Sequence, residues 1–223
     1  MLEETIRQIA IWAVPLLVAV VFHEIAHGWV AHRLGDPTAA RLGRLSLNPF
    51  VHLDLFGSLL IPLMLILSHS PFVFGYAKPV PINFHNLRHP KRDMIWVALA
   101  GPVMNLILAL IATLAWKALV TLIAGAEQSA SGAVGQLLRP LALMAQASLL
   151  INIALAVFNA LPLPPLDGGR VMVGLLPHPL SAMLARVEPF GFIILFGLLM
   201  TRTLDRIIDQ PMEFLLKVYL SLV

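Results

Sequence analysis

The chain has 223 residues, 59% of them hydrophobic and only 12% charged, with a mean hydropathy of +0.86. Soluble domains carry about 25% charged residues, so this composition excludes an ordinary soluble enzyme and leaves no room for a separate soluble domain beside a membrane-embedded one. The chain has no cysteine, which excludes disulfides and thiolate metal sites, and its net charge of +3 comes from sparse basic loops that read as orientation signals rather than a nucleic-acid surface.

The first eight residues, MLEETIRQ, lack the basic start of a signal peptide, and the apolar stretch behind them is expected to stay as a helix. That stretch, residues 9–34, is long enough to enter a bilayer and carries His23, Glu24 and His27 in its second half. Titratable side chains at bilayer depth cost about 2.5–3.5 kcal/mol each on the mildest scale, so they default to a functional reading. On a helix, residues four apart lie about 40° from one another around the axis. His23 and His27 therefore bring two imidazoles to one point. Glu24 lies about 100° round, where it reaches a water at the metal without being a ligand. This is the His-Glu-x-x-His arrangement of zinc hydrolases.

Gly35, Asp36 and Pro37 end this helix and open a loop over 35–54. Residues 55–68 are apolar but only 14 long and are interrupted by Gly57 and Pro62; a full crossing takes about 20. Residues 71–83 read as an extended segment with edge-strand prolines. A second spanning helix is expected over 94–120, containing Gly101, Pro102 and Asn105, and a small-residue loop follows at 125–132. A third spans 137–161, with Asn152 and Asn159 inside it, and Pro162, Pro164 and Pro165 then forbid regular helix. A shorter fourth span is expected over 190–204, and the tail 211–223 reads as an interfacial helix. The expected fold is an all-α membrane protein: one domain over 1–223, a polytopic helical bundle of about four spanning helices, a re-entrant segment and a short extended strand region.

A catalytic zinc usually has three protein ligands and one open position. Most acidic residues of this chain sit in loops or near helix ends, where a solvated charge suffices as an explanation. Asp167 differs. It follows a spanning helix dotted with polar residues and precedes Gly168 and Gly169, which permit close backbone approach. Of the other histidines, His32, His52, His69, His85, His89 and His178 read as solvated or interfacial.

Three motifs, His23-Glu24-Ile25-Ala26-His27, Gly101-Pro102-Val103-Met104-Asn105 and Asn159-Ala-Leu-Pro-Leu-Pro-Pro-Leu-Asp167-Gly168-Gly169, resemble those of site-2 proteases, the zinc intramembrane metalloproteases. The resemblance covers roughly residues 10–175. The stretches LGRLSLNP and YAKPVPIN are similar to the short subgroup without PDZ or regulatory domains. The resemblance implies one Zn2+ per chain on His23, His27 and Asp167, with Glu24 as general base and Asn159 holding substrate or the oxyanion. For Asn105 a packing role and a site role both stay open. The implied activity is hydrolysis of peptide bonds in or near transmembrane segments of membrane proteins. A metal transporter or metal-binding membrane protein using the same ligands, and an inactive helix-binding scaffold, are the rivals.

Topology gives an independent expectation. His27 lies toward the C-terminal end of its helix and Asp167 just past the C-terminal end of another, so the two helices should run parallel. That requires an odd number of crossings between them. Of the two apolar segments in between, 55–68 should be the one that fails to cross, with positions 52 and 86 on the same side. On the zinc-proximal side lie Arg33, Arg41, Arg44, Lys78, Arg88, Lys91, Arg92, Arg170 and Arg186, against Arg7, Lys117 and Arg139 opposite. The positive-inside rule then places the site of this multi-pass cell-membrane protein nearer the cytoplasm.

Overall fold

The computed structural model describes residues 2–68, 78–128 and 132–222. Among these residues the chain is helical with no strand. α1 runs Leu2–Arg33, α2 Thr38–Arg41, α3 Ile61–Leu67, α4 Pro90–Gln128, α5 Gly132–Asn159, α6 Asp167–Leu175, α7 Leu180–Ala185, α8 Gly191–Met200 and α9 Thr203–Leu220. Among the described residues, four stretches are long and apolar enough to cross a bilayer: Glu3–Arg33, Pro90–Ala126, Val134–Asn159 and Leu180–Met200. The chain is thus a polytopic helical bundle. The fourth stretch begins ten residues earlier than the sequence suggests and is assembled from α7, a 3-10 turn at Glu188–Phe190 and α8.

The bundle centre is α1, α4 and α5. Along α4, Val97 meets His27 and Asn105 meets His23 and Ala19, so residue numbers rise on α4 as they fall on α1 and the two helices are antiparallel. Asn152 of α5 meets Asn105, and Asp167 just beyond α5 meets His27. α5 therefore runs parallel to α1, as the ligand geometry requires.

The segment between α1 and α4 behaves as a re-entrant excursion. A π-helical turn at Leu55–Leu60 continues into α3. At 1.5 Å per residue this pair is roughly 20 Å long, short of a crossing. The chain leaves beside His52 and returns at Lys78, whose N–H donates to the His52 carbonyl (2.9 Å). Asp36 binds the returning chain at Asn83 N–H (2.7 Å) and Asn86 Nδ2 (2.9 Å). Both ends of the excursion are thus tied to the end of α1.

The expected strand region needs correction. Residues 71–77 lie outside the described residues. Residues 78–83 form an irregular strap rather than a strand, because Pro79 and Pro81 have no N–H to give a ladder. Asp36, Asp93 and His52 also depart from expectation. They are 0%, 5% and 1% exposed, because each satisfies backbone where the chain turns: Asp93 accepts the His89 N–H, and His52 Nε2 bonds the Ser46 carbonyl.

Candidate metal centre

His23 and His27 face the axis of the bundle, and both are buried. Their Nε2 atoms are 3.0 Å apart and lie 3.2 and 3.3 Å from Asp167 Oδ2. Asp167 reaches them from the first turn of α6, where the chain re-forms a helix after the proline run. Close approach is built in. A Cβ on Gly101 would collide with both imidazoles, so only glycine lets α4 pass so near them. A Cβ on Gly168 would collide with the Ala160 carbonyl.

The proton positions decide what this cluster holds. His23 Nδ1 is 2.6 Å from Asn105 Oδ1, and His27 Nδ1 is 2.7 Å from the Val97 carbonyl. Both partners are acceptors, so each Nδ1 carries the proton and each Nε2 presents a lone pair. Two imidazole Nε2 atoms and a carboxylate oxygen then converge within 3.3 Å of one another. Asp167 Oδ2 is a buried atom without a hydrogen-bond donor among the described residues. Such a set binds a metal cation once the proton it shares is displaced, as ligand deprotonation on metal binding requires. A tetrahedral zinc with bonds of about 2.05 Å sets its ligand atoms about 3.3 Å apart, which matches the spacings above. The donor chemistry also fits: two imidazoles and a carboxylate, each imidazole oriented by an acceptor on its far nitrogen. His23, His27 and Asp167 form the one such group among the described residues.

The cluster opens into a cavity of about 760 Å³ lined by Glu24, Asn159, Val80, Phe158, Arg170 and Phe192 among others. Glu24 is half-buried at its wall, and its Oε2 accepts the Val80 N–H at 2.7 Å. The strap that supplies this donor is itself held by Arg44, which donates to the carbonyls of Lys78 (2.8 Å) and Pro79 (3.4 Å). Asn159 lines the same cavity and donates to the Leu155 carbonyl of its own helix at 3.0 Å. The structure thus brings all five residues singled out in the sequence to one place. The other described histidines, His32, His52, His85, His89 and His178, do not join the cluster; His69 lies outside the described residues.

Two contributors escaped the sequence reading. The first is the Val80 N–H, a backbone group that no side-chain pattern signals. The second is the pairing of amides behind His23, not the presence of Asn105 itself: Asn105 Nδ2 donates to Asn152 Oδ1 at 2.8 Å, and Asn152 Nδ2 to the Ser148 carbonyl at 2.8 Å. Asn105 was visible through its Gly-Pro-x-x-Asn motif, with packing and site roles both open, and Asn152 only as a polar residue in an apolar helix; neither signal told that the two amides pair behind His23.

A helical polytopic membrane protein with a buried His–His–Asp centre beside a carboxylate defines the class: a membrane-embedded metallohydrolase. The model of peptidase family M50 matches residues 11–201, and the chain belongs to that family. It is 39% identical to YwhC, a candidate zinc metalloprotease of Bacillus subtilis, over 84% of this chain and 79% of that protein. It is 27% identical to Rip2 of Mycolicibacterium smegmatis, over 91% of this chain and 74% of that protein, and 29% identical to Rip2 of Mycobacterium tuberculosis, over 85% and 66%. Both Rip2 proteins are likewise named as candidate zinc metalloproteases. No solved structure matches the chain.

Proposed function

We propose that this chain is a zinc-dependent intramembrane endopeptidase that hydrolyses peptide bonds in or near transmembrane segments of membrane proteins. The observation that carries this is the convergence of the His23 and His27 Nε2 atoms and Asp167 Oδ2 within 3.3 Å of one another beside Glu24, at one end of three apolar helices. In this reading residues 1–223 act as one membrane-embedded unit and hold one Zn2+. Zinc on this ligand set supplies Lewis acidity and brings the pKa of water toward about 7.

The chain's own groups do the rest. Glu24 Oε2 is held by the Val80 N–H, which fixes the carboxylate and leaves Oε1 to take the proton of the attacking water and pass it to the leaving amine. Asn159, on the cavity wall, orients the scissile carbonyl. A transmembrane substrate hides each carbonyl in its own helical hydrogen bonds and must unwind to be cut. The apolar part of the cavity wall and the strap at 78–82 give an unwound segment a place to lie. The excess of basic residues at this end supports a location in the cell membrane with the site nearer the cytoplasm. Thiol labelling at the exposed positions Phe50 and Asn86, which flank the excursion, should then occur from the cytoplasmic face at both.

The test uses purified protein and a model transmembrane substrate. Glu24→Gln should keep zinc and lose cleavage by about 10²-fold or more. Retained cleavage removes Glu24 as the base. Zinc movement across vesicles that survives Glu24→Gln, with no cleavage by the wild type, favours a transporter instead.

A further inference from the structure

An unwound segment in the cavity needs hydrogen-bond donors, because every carbonyl released from a helix away from water is costly to leave unpaired. The strap beside the cavity is poor in them. Pro79 and Pro81 have no N–H. The N–H groups of Lys78, Val80 and Asn83 are already given to the His52 carbonyl, Glu24 Oε2 and Asp36 Oδ2. Among the described residues this leaves the Ile82 N–H as the strap's one spare donor. Elsewhere on the wall, His23 and His27 spend their Nδ1 protons on Asn105 and Val97, and Asn159 donates to Leu155.

Arg170 is the exception. It is the one Lys or Arg among the residues that line the cavity. Its guanidinium is a fork of N–H donors. Nη2 donates to Glu188 Oε1 at 3.2 Å, and the described residues give the fork no other acceptor. The two side chains are 35% and 45% exposed, and a pair that open to solvent holds its members loosely. The guanidinium also lies 5.7 Å from the centre of the Phe84 ring, just past the strap. Arg170 therefore stands between the strap and the turn before α8, whose Phe192 and Leu195 line the same cavity. It follows Asp167 by three residues on α6, which is about 60° round and ~4.5 Å along the helix. One to two residues of extended chain, at about 3.3 Å each, cover that rise.

We propose that Arg170 holds the unwound substrate, its guanidinium donating to main-chain carbonyl oxygens one to two residues from the cleaved bond. The inference rests on the peptidase reading for its substrate. The occupant is main chain rather than an acidic side chain, because Glu188 already balances the charge of Arg170, while the unspent N–H groups are what every released carbonyl lacks.

The test measures Kd for a fluorescent synthetic transmembrane peptide on the zinc-loaded full chain in detergent, with Glu24→Gln present so that the peptide stays intact. A set of peptides each carries one backbone ester in place of an amide, which weakens one carbonyl as an acceptor; a further peptide carries one Glu near its centre. Adding Arg170→Met should weaken binding of the all-amide peptide about tenfold or more, as loss of a charge-assisted hydrogen bond does. One or two ester positions should weaken binding with Arg170 in place, and that penalty should vanish with Arg170→Met. Glu188→Gln should leave Kd unchanged or tighter. Ester penalties that survive Arg170→Met overturn the proposal, as does failure of every peptide to bind. A loss with Glu188→Gln as large as with Arg170→Met also overturns it, since the pair would then be a structural latch, and so does a loss confined to the Glu-bearing peptide. Cleavage by the wild type is scored separately: a wild type that binds these peptides and cuts none sinks the peptidase reading, while the Kd comparison still decides the role of Arg170.

Discussion

Asn105 offers a sharp test of how the metal centre is held, because its two ends do different jobs. It is 0% exposed. Its Oδ1 faces His23 Nδ1 at 2.6 Å, and its Nδ2 donates to Asn152 Oδ1 at 2.8 Å and to the Ala19 carbonyl at 3.4 Å. Asn105→Leu, close in volume, removes both ends and strands the His23 Nδ1–H and Asn152 Oδ1 in the bundle. Leaving a buried polar group unpaired costs about 1–3 kcal/mol, so the loss of stability should be about 2–6 kcal/mol. Losing the group that orients a ligating imidazole costs about 10–100-fold in metal affinity. Asn105→Asp separates the effects: it keeps an acceptor toward His23 but no donor toward Asn152. It should lose stability yet hold zinc as tightly as the wild type. The assay is zinc per chain after dialysis against buffers of graded free zinc, with the unfolding midpoint followed in parallel. If Asn105→Leu binds zinc with wild-type affinity while losing stability, Asn105 is a packing residue and the proton assignment at His23 is wrong.

Two further outcomes follow from the strap and its anchor. Val80→Pro keeps an extended backbone between two existing prolines but removes the N–H that Glu24 Oε2 accepts; turnover should fall about 10–100-fold with zinc content unchanged, and unaltered turnover would show that the strap does not orient the base. At Asp36, burial pushes the carboxyl up, but hydrogen bonds from Thr38, Asn86 and the Asn83 N–H outweigh it and hold it below the usual carboxylate value. A depressed folded pKa contributes stability that is complete above the unfolded value of about 3.9 and is lost as pH falls through the folded value. The unfolding midpoint of the wild type should therefore drop more steeply below about pH 4 than that of Asp36→Asn; superimposable curves would deny Asp36 this role.

The metal ligands were legible because chemistry forced them into the open. His23, Glu24 and His27 stand in a stretch where nothing polar is otherwise tolerated, and their spacing matches one turn of helix. Asp167 was legible through its prolines and glycines, which mark a break in an apolar helix. The parallel course of α1 and α5 followed from those ligands alone, and the return of the chain at Lys78 beside His52 agrees with the expectation that no net crossing lies between them. What was not legible depends on backbone groups and on tertiary neighbours. The Val80 N–H looks like any other amide in sequence, and the prolines that suggested an edge strand are the reason no ladder forms. Asp36, Asp93 and His52 looked like solvated loop residues because the backbone donors and acceptors they meet are set by the fold. The amphipathic pattern of α9 was readable, but the partners of its apolar face were not: Ile208, Met212, Leu215, Leu216 and Tyr219 pack on α4 and α5, a tertiary contact that no local pattern names.

The central claim is that a carboxylate from beyond α5 and two imidazoles from α1 close on a single ion. Zinc per chain in the purified wild type and in Asp167→Ala, measured at buffered free zinc, tests it most directly. The account predicts one zinc per wild-type chain and an affinity at least tenfold weaker in the variant, with the helical content of both unchanged. An Asp167→Ala protein that holds one zinc as tightly as the wild type would contradict it.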